Sequence, residues 1–80
     1  MASARIPRAK LNAAVHAMRV YLGSLDYASV RHQQRLYQHA VRACNAVAAV
    51  TGMSDQNVWM QVEAEARRQG ILRPIPGQHI

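Results

Sequence analysis

Apolar residues recur with helical spacing along most of this chain, and the longest regular stretch runs from Asp26 to Gly52, DYASVRHQQRLYQHAVRACNAVAAVTG. On a wheel of ~100° per residue, Val30, Tyr37, Val41, Cys44 and Ala48 share one stripe. Leu36, Ala40, Ala43, Val47 and Val50 form a second stripe beside it. Together they cover about half the circumference, wider than the roughly 100° stripe of an ordinary surface helix. A helix this apolar is expected to touch two neighbours. Opposite lie Arg31, Arg35, Gln38, Arg42 and Asn45, within an arc of roughly 80°. Gln34 and His39 extend that polar strip on either side. The pattern predicts a helix over about 26–51, ~38 Å long at 1.5 Å per residue.

Shorter helices are predicted on both sides. Leu11, Val15, Met18, Leu22 and Leu25 alternate in steps of four and three, a narrow seam for a helix over about 7–22. Pro7 suits its first turn, where a missing N–H costs nothing. Arg8, Asn12, His16 and Arg19 fall on the far side as a second basic strip. Gly23 and Ser24 break the pattern, and Ser24 or Asp26 is the expected cap of the long helix. Gly52 reads as its C-terminal stop. Ser54 then caps a third helix over about 54–69, with Asp55 placed favourably against the helix dipole. Val58, Trp59, Val62 and Ala66 form its apolar edge, Gly70 ends it, and Ile71 supplies the contact that often follows a glycine cap. Residues 1–6 and 71–80 read as tails; Pro74 and Pro76 make the second one extended, either a loose end or an arm that docks through Ile71, Leu72 and Ile75. The fold class is all-α, a single three-helix domain over 1–80 with a long central helix.

Composition qualifies that picture. Half the chain is apolar, but fourteen residues are alanine and phenylalanine is absent. So short a chain obtains only ~3–5 kcal/mol from one core and benefits from further support. The single cysteine excludes an internal disulfide, so a homodimer is the expected support. Cys44 lies on the apolar stripe and reads as a small core residue. Net charge is +6, and its placement is uneven. Residues 1–53 hold seven basic side chains against Asp26, whereas residues 54–80 hold three of each sign. No acid stands between Ser29 and Met53, so the arginines of the long helix lack an i,i+4 carboxylate. Such asymmetry points to an anionic partner, nucleic acid being the commonest. No signal peptide or membrane span is legible, which reads as cytoplasmic, and the short biased sequence suits a bacterial, plasmid or phage gene.

Catalytic constellations are missing from the pattern, and the chain does not read as an enzyme. Glu63 and Glu65 are two apart on a helix and face different ways. His16, His32, His39 and His79 show no ligand spacing, so neither metal nor cofactor is implied.

The segment around Val47-Ala48, Thr51-Gly52-Met53-Ser54 and Val58 resembles the helix-turn-helix of DNA-binding regulators. In that family an alanine precedes the turn glycine by four residues, an apolar residue follows the glycine, and a valine or isoleucine lies six past it. Ala48, Gly52, Met53 and Val58 match that spacing over about sixteen residues. Where the family places a further apolar residue stands Gln61, with Val62 one place late. The resemblance implies that the third helix enters the major groove. Gln56, Asn57, Gln61 and Arg68 would then contact bases, Asn and Gln pairing with adenine and Arg with guanine. Ala64 would allow close approach. Arg31, Arg35, His39, Arg42 and Ser54 would hold phosphates and set orientation. The partner would be DNA, with RNA as a variant.

The same residues admit a second reading, a small helical inhibitor or adaptor, antitoxin-like or anti-defence, that blocks an acidic protein partner. Trp59, Met60 and Tyr37 would be its anchors, being large side chains suited to interface hot spots. Trp59 borders the Val58–Val62 edge and also fits the core.

Overall fold

A computed structural model of the chain describes residues 7–26 and 28–72. Three helices make up the described part: α1 (Arg8–Ser24), α2 (Val30–Thr51) and α3 (Asp55–Gln69). This is the all-α three-helix arrangement with a long middle helix. Near the end of α1, Tyr21 meets Tyr37 in the first half of α2. Leu11 and Val15, early in α1, share a groove with Val47 near the end of α2. The two helices therefore run antiparallel as a hairpin. The start of α3 lies over α2, where Asp55, Gln56 and Trp59 share a groove with Val41, Cys44 and Asn45. Its end lies over α1, where the Arg19 Nε–H donates to the Gly70 carbonyl at 2.6 Å. α3 thus crosses the hairpin and touches both of its arms.

The core lies beneath that crossing. Met18, Val47, Val58 and Val62 are its largest fully buried apolar side chains, with Ala14, Ala66 and Cys44 between them. The two apolar stripes of α2 divide as a two-neighbour helix requires. Ala40, Cys44, Val47 and Ala48 are buried, but Val30, Tyr37 and Val50 remain exposed at the margins.

Helix ends differ from the sequence expectation in one place. α1 continues through Gly23 and Ser24, because the buried Ser24 hydroxyl donates back to the Tyr21 carbonyl at 2.6 Å and satisfies itself within the helix. Neither Ser24 nor Asp26 caps α2. The cap is Ser29, whose side chain accepts from the His32 N–H at 3.3 Å, so α2 begins four residues later than 26, at Val30. At 22 residues it is ~33 Å long rather than ~38 Å.

The remaining boundaries agree with the sequence. Gly52 closes α2 at φ 74°, a left-handed conformation that glycine adopts without penalty. Thr51 donates its hydroxyl to the Val47 carbonyl and accepts from the Met53 N–H, tying the turn together. The Ser54 hydroxyl caps α3 by accepting from the Asn57 N–H at 3.2 Å. After α3, Ile71 packs against the core and the Leu72 N–H donates to the Arg19 carbonyl at 3.1 Å. Ile71 and Leu72 are therefore docked rather than part of a loose tail; Ile75, Pro74 and Pro76 lie outside the described residues. Arg19 corrects the expectation of a solvated basic strip on α1. It is half-buried and holds the end of α3.

Two stability outcomes follow, each measured by urea denaturation followed by circular dichroism. Met18→Ala removes a side chain with 0% exposure and should cost ~2–5 kcal/mol. Gly52→Ala meets open space but forces a Cβ into the left-handed region, so ~1–2 kcal/mol should be lost without any steric clash.

Candidate nucleic-acid interface

The polar strip of α2 stands in water for its whole length. Arg31, Arg35, Gln38, His39, Arg42 and Asn45 are all exposed. No carboxylate comes within ion-pair distance of Arg31, Arg35 or Arg42 among the described residues, where the ion pairs are Arg67–Glu63 and Arg68–Glu65. Arg31 and Arg42 stand eleven steps apart along the helix, ~17 Å at 1.5 Å per residue. His32, which also reads as a polar-flank residue, is half-buried; its Nε2 is enclosed without a hydrogen-bond partner among the described residues.

The third helix treats its arginines differently. Both Nε and Nη2 of Arg67 donate to Glu63 Oε2, at 3.1 and 3.0 Å. Arg68 donates to both carboxylate oxygens of Glu65, which also accepts from the Gln69 amide at 2.8 Å. The donors from Arg68 and Gln69 hold the Glu65 carboxyl down at about 2, well below its ordinary range. Glu63 and Glu65 do point different ways, as their spacing requires. Each neutralises an arginine on its own helix.

Of the sequence-derived base contacts, Asn57, Gln61 and Arg68 are all exposed and fall within roughly 40° of one another on α3, whereas Gln56 lies on another side of the helix. Gln56 sits at the groove between α3 and α2, beside Asn45. Asn57 is exposed on α3's outer side. Gln61 borders a different groove, between α3 and α1, together with Asn12 and Glu65. Arg68 is exposed but its guanidinium is engaged by Glu65. Among the phosphate candidates, Ser54 spends its hydroxyl oxygen on the cap of α3, where it remains exposed. Asn45 shares a groove with the start of α3, and Arg42, Arg35 and Arg31 stand progressively earlier along α2.

One cluster escapes a reading of one helix at a time. Tyr21, Tyr37 and Trp59, one from each helix, form a triangle with ring centroids 5.4, 5.4 and 6.1 Å apart. Edge-to-face and tilted pairs of this kind each add ~0.5–1.5 kcal/mol beyond area burial. Trp59 is half-buried in it, whereas Tyr37 is 46% exposed. The signal in sequence is that Tyr37 and Trp59 sit on apolar stripes, whereas Tyr21 stands beside the α1 seam, and their meeting depends on how α3 crosses the hairpin.

Cys44 is buried, and enclosure pushes its thiol up to about 11, with the Asp55 carboxylate adding to the shift. Among the described residues no group of three or more His, Cys, Asp or Glu is placed to hold a metal ion, and no helix is long and apolar enough to cross a membrane. Comparison with known protein families, curated proteins and solved structures returned no match.

The thiol offers a direct check. At pH 8, Cys44 in the folded chain should react with a disulfide reagent at least about tenfold more slowly than in urea, because the thiolate is scarce and enclosed. A thiol pKa raised on folding leaves stability intact below the unfolded value and erodes it as pH climbs from about 9 towards 11. Cys44→Ala should remove that component of the alkaline loss in a pH series of urea melts.

Proposed function

We propose that this chain is a small DNA-binding protein that acts by occupying a site on duplex DNA. One observation carries the reading: the arginines of α2 stand exposed and without carboxylates among the described residues, while both arginines of α3 are paired within their own helix. Desolvated or neutralised guanidinium groups would have little left to offer a polyanion; solvated ones release condensed counterions when they meet phosphate. In this proposal Arg31, Arg35, Arg42 and His39 clamp phosphates, and the exposed cap at Ser54 adds a hydroxyl and the helix N-terminus. The short turn through Gly52 and Met53 supports the helix-turn-helix reading, with α3 as the element presented to the major groove. Asn57 and Gln56, near the start of α3, are the base-reading residues best placed beside the strip. Gln61 stands one turn after Asn57 on the same exposed side of α3, and Arg68 reads bases only by exchanging Glu65 for guanine.

A rival reading, a small inhibitor that blocks a protein, draws support from Met60, which is 59% exposed on the outer side of α3. Tyr37 would be its second anchor.

Fluorescence anisotropy with labelled duplexes at two salt concentrations separates the two. Under the DNA reading, affinity falls steeply with salt, and Arg35→Ala or Arg42→Ala weakens all sequences alike while lowering the salt slope by about 1 each. Asn57→Ala should cost ~1–3 kcal/mol at particular base pairs only. Absence of binding at low salt, or binding indifferent to the α2 arginines, sinks the proposal; loss of function through Met60→Ala alone would then favour the protein partner.

A further inference from the structure

Beside the crossing of α3 the hairpin carries an uncovered face along α2. At one end stands Val30, an aliphatic side chain 68% exposed and outside the buried core. At the other end lies an open groove of about 290 Å³ lined by Tyr37, Val41, Cys44, Asn45, Asp55 and Trp59. Knob and groove share one stripe of the helix, and Val30 and Cys44 lie seven residues to either side of Tyr37. A two-fold axis near Tyr37 would therefore lay the knob of one copy on the groove of another.

We propose that two copies of this chain pair through this face, α2 against α2 and antiparallel, each Val30 seated in the other copy's groove. The interface is isologous, so both ends are satisfied at once. Charge selects this occupant. Asp55, at the groove end, forms no ion pair among the described residues, and Arg31 follows the knob. Antiparallel pairing brings each Arg31 towards the other copy's Asp55. Elsewhere two chains of net charge +6 repel, since α1 and α2 carry no acid within their helices. An acidic partner protein would be drawn to the arginine strip, not to a groove whose only charge is a carboxylate. Gln33 and Gln34 flank the knob beside Tyr37 and carry both donors and acceptors, which suits contact with their own copies. Pairing of copies requires no DNA to be present, although the two events share α2; in the dimer Arg31 serves the contact between copies, and Arg35, His39 and Arg42 remain for phosphate.

Sedimentation equilibrium of the full chain without nucleic acid provides the test. The weight-average mass should rise with concentration from 8.9 kDa towards twice that value. Trp59 is the only tryptophan, so its emission should shift to the blue over the same range as the groove is covered. Val30→Glu, at an exposed position that leaves the monomer core intact, should weaken association by at least about tenfold, as should Asp55→Arg. The double variant Arg31→Asp/Asp55→Arg should restore it. Circular dichroism confirms that each variant keeps its helices. A mass of 8.9 kDa at every concentration, or association untouched by Val30→Glu, overturns the proposal. Failure of the double variant to recover overturns the antiparallel register.

Discussion

What α3 presents to the outside depends on how its two ends are fixed. At its start, the Gly52 N–H donates to the Ala48 carbonyl, the Met53 N–H to the Thr51 hydroxyl and the Asn57 N–H to the Ser54 hydroxyl, which together set the direction in which the chain enters α3. At its finish, the half-buried Arg19 holds the Gly70 carbonyl while its own carbonyl receives Leu72. Between them Val58, Val62 and Ala66 fill the seam. Ridge-and-groove packing of valine and alanine alone leaves a helix free to slide, because such side chains are small and similar. The polar ties at both ends remove that freedom. They also explain why one arginine of α1 is not available for an anion.

The carboxylates are placed with similar consequence. Three of the four acids lie on α3, and two of them are occupied by Arg67 and Arg68 in its last turns. These pairs are exposed, so they contribute little to stability. Their larger effect is to hold α3's own positive charge in place and leave the α2 strip as the longest row of exposed guanidinium groups without a carboxylate among the described residues. Basic residues spread evenly would produce a weak field everywhere. Lined along one helix they produce a directional one, within reach of a polyanion over roughly a Debye length of ~8 Å at physiological salt.

Much of this architecture was legible from the chain because its signals are local. The stops at Gly52 and Gly70, the cap at Ser54 and the docked Ile71 each follow from backbone chemistry within a few residues. The start of α2 was less legible because Ser24, Asp26 and Ser29 are all good caps; burial decided among them by turning Ser24 inward to Tyr21. The role of Arg19 was hidden for another reason. Its partner lies 51 residues away, and helical periodicity places a side chain on a face without saying what crosses that face. The same limit applies to the candidate site. The wheel correctly set the α2 arginines in water and Asn57, Gln61 and Arg68 on one exposed side of α3, but it could not say that Glu65 would engage the Arg68 guanidinium.

Pairing of copies and binding of a polyanion are coupled through the central helix. The face proposed for the dimer adjoins the arginine strip on the same helix, so association draws two sets of guanidinium groups towards each other. That repulsion opposes the burial of Val30 and Tyr37, and it weakens when phosphate neutralises the strip. By linkage, whatever binds the dimer better than the monomer favours the dimer, and the dimer in turn binds it more tightly by the same factor. Salt acts on both terms with opposite signs, screening the repulsion between copies while competing for the phosphate contacts. A protein built this way would be held together least firmly when alone at low ionic strength, and most firmly on the anion that its central helix is arranged to meet.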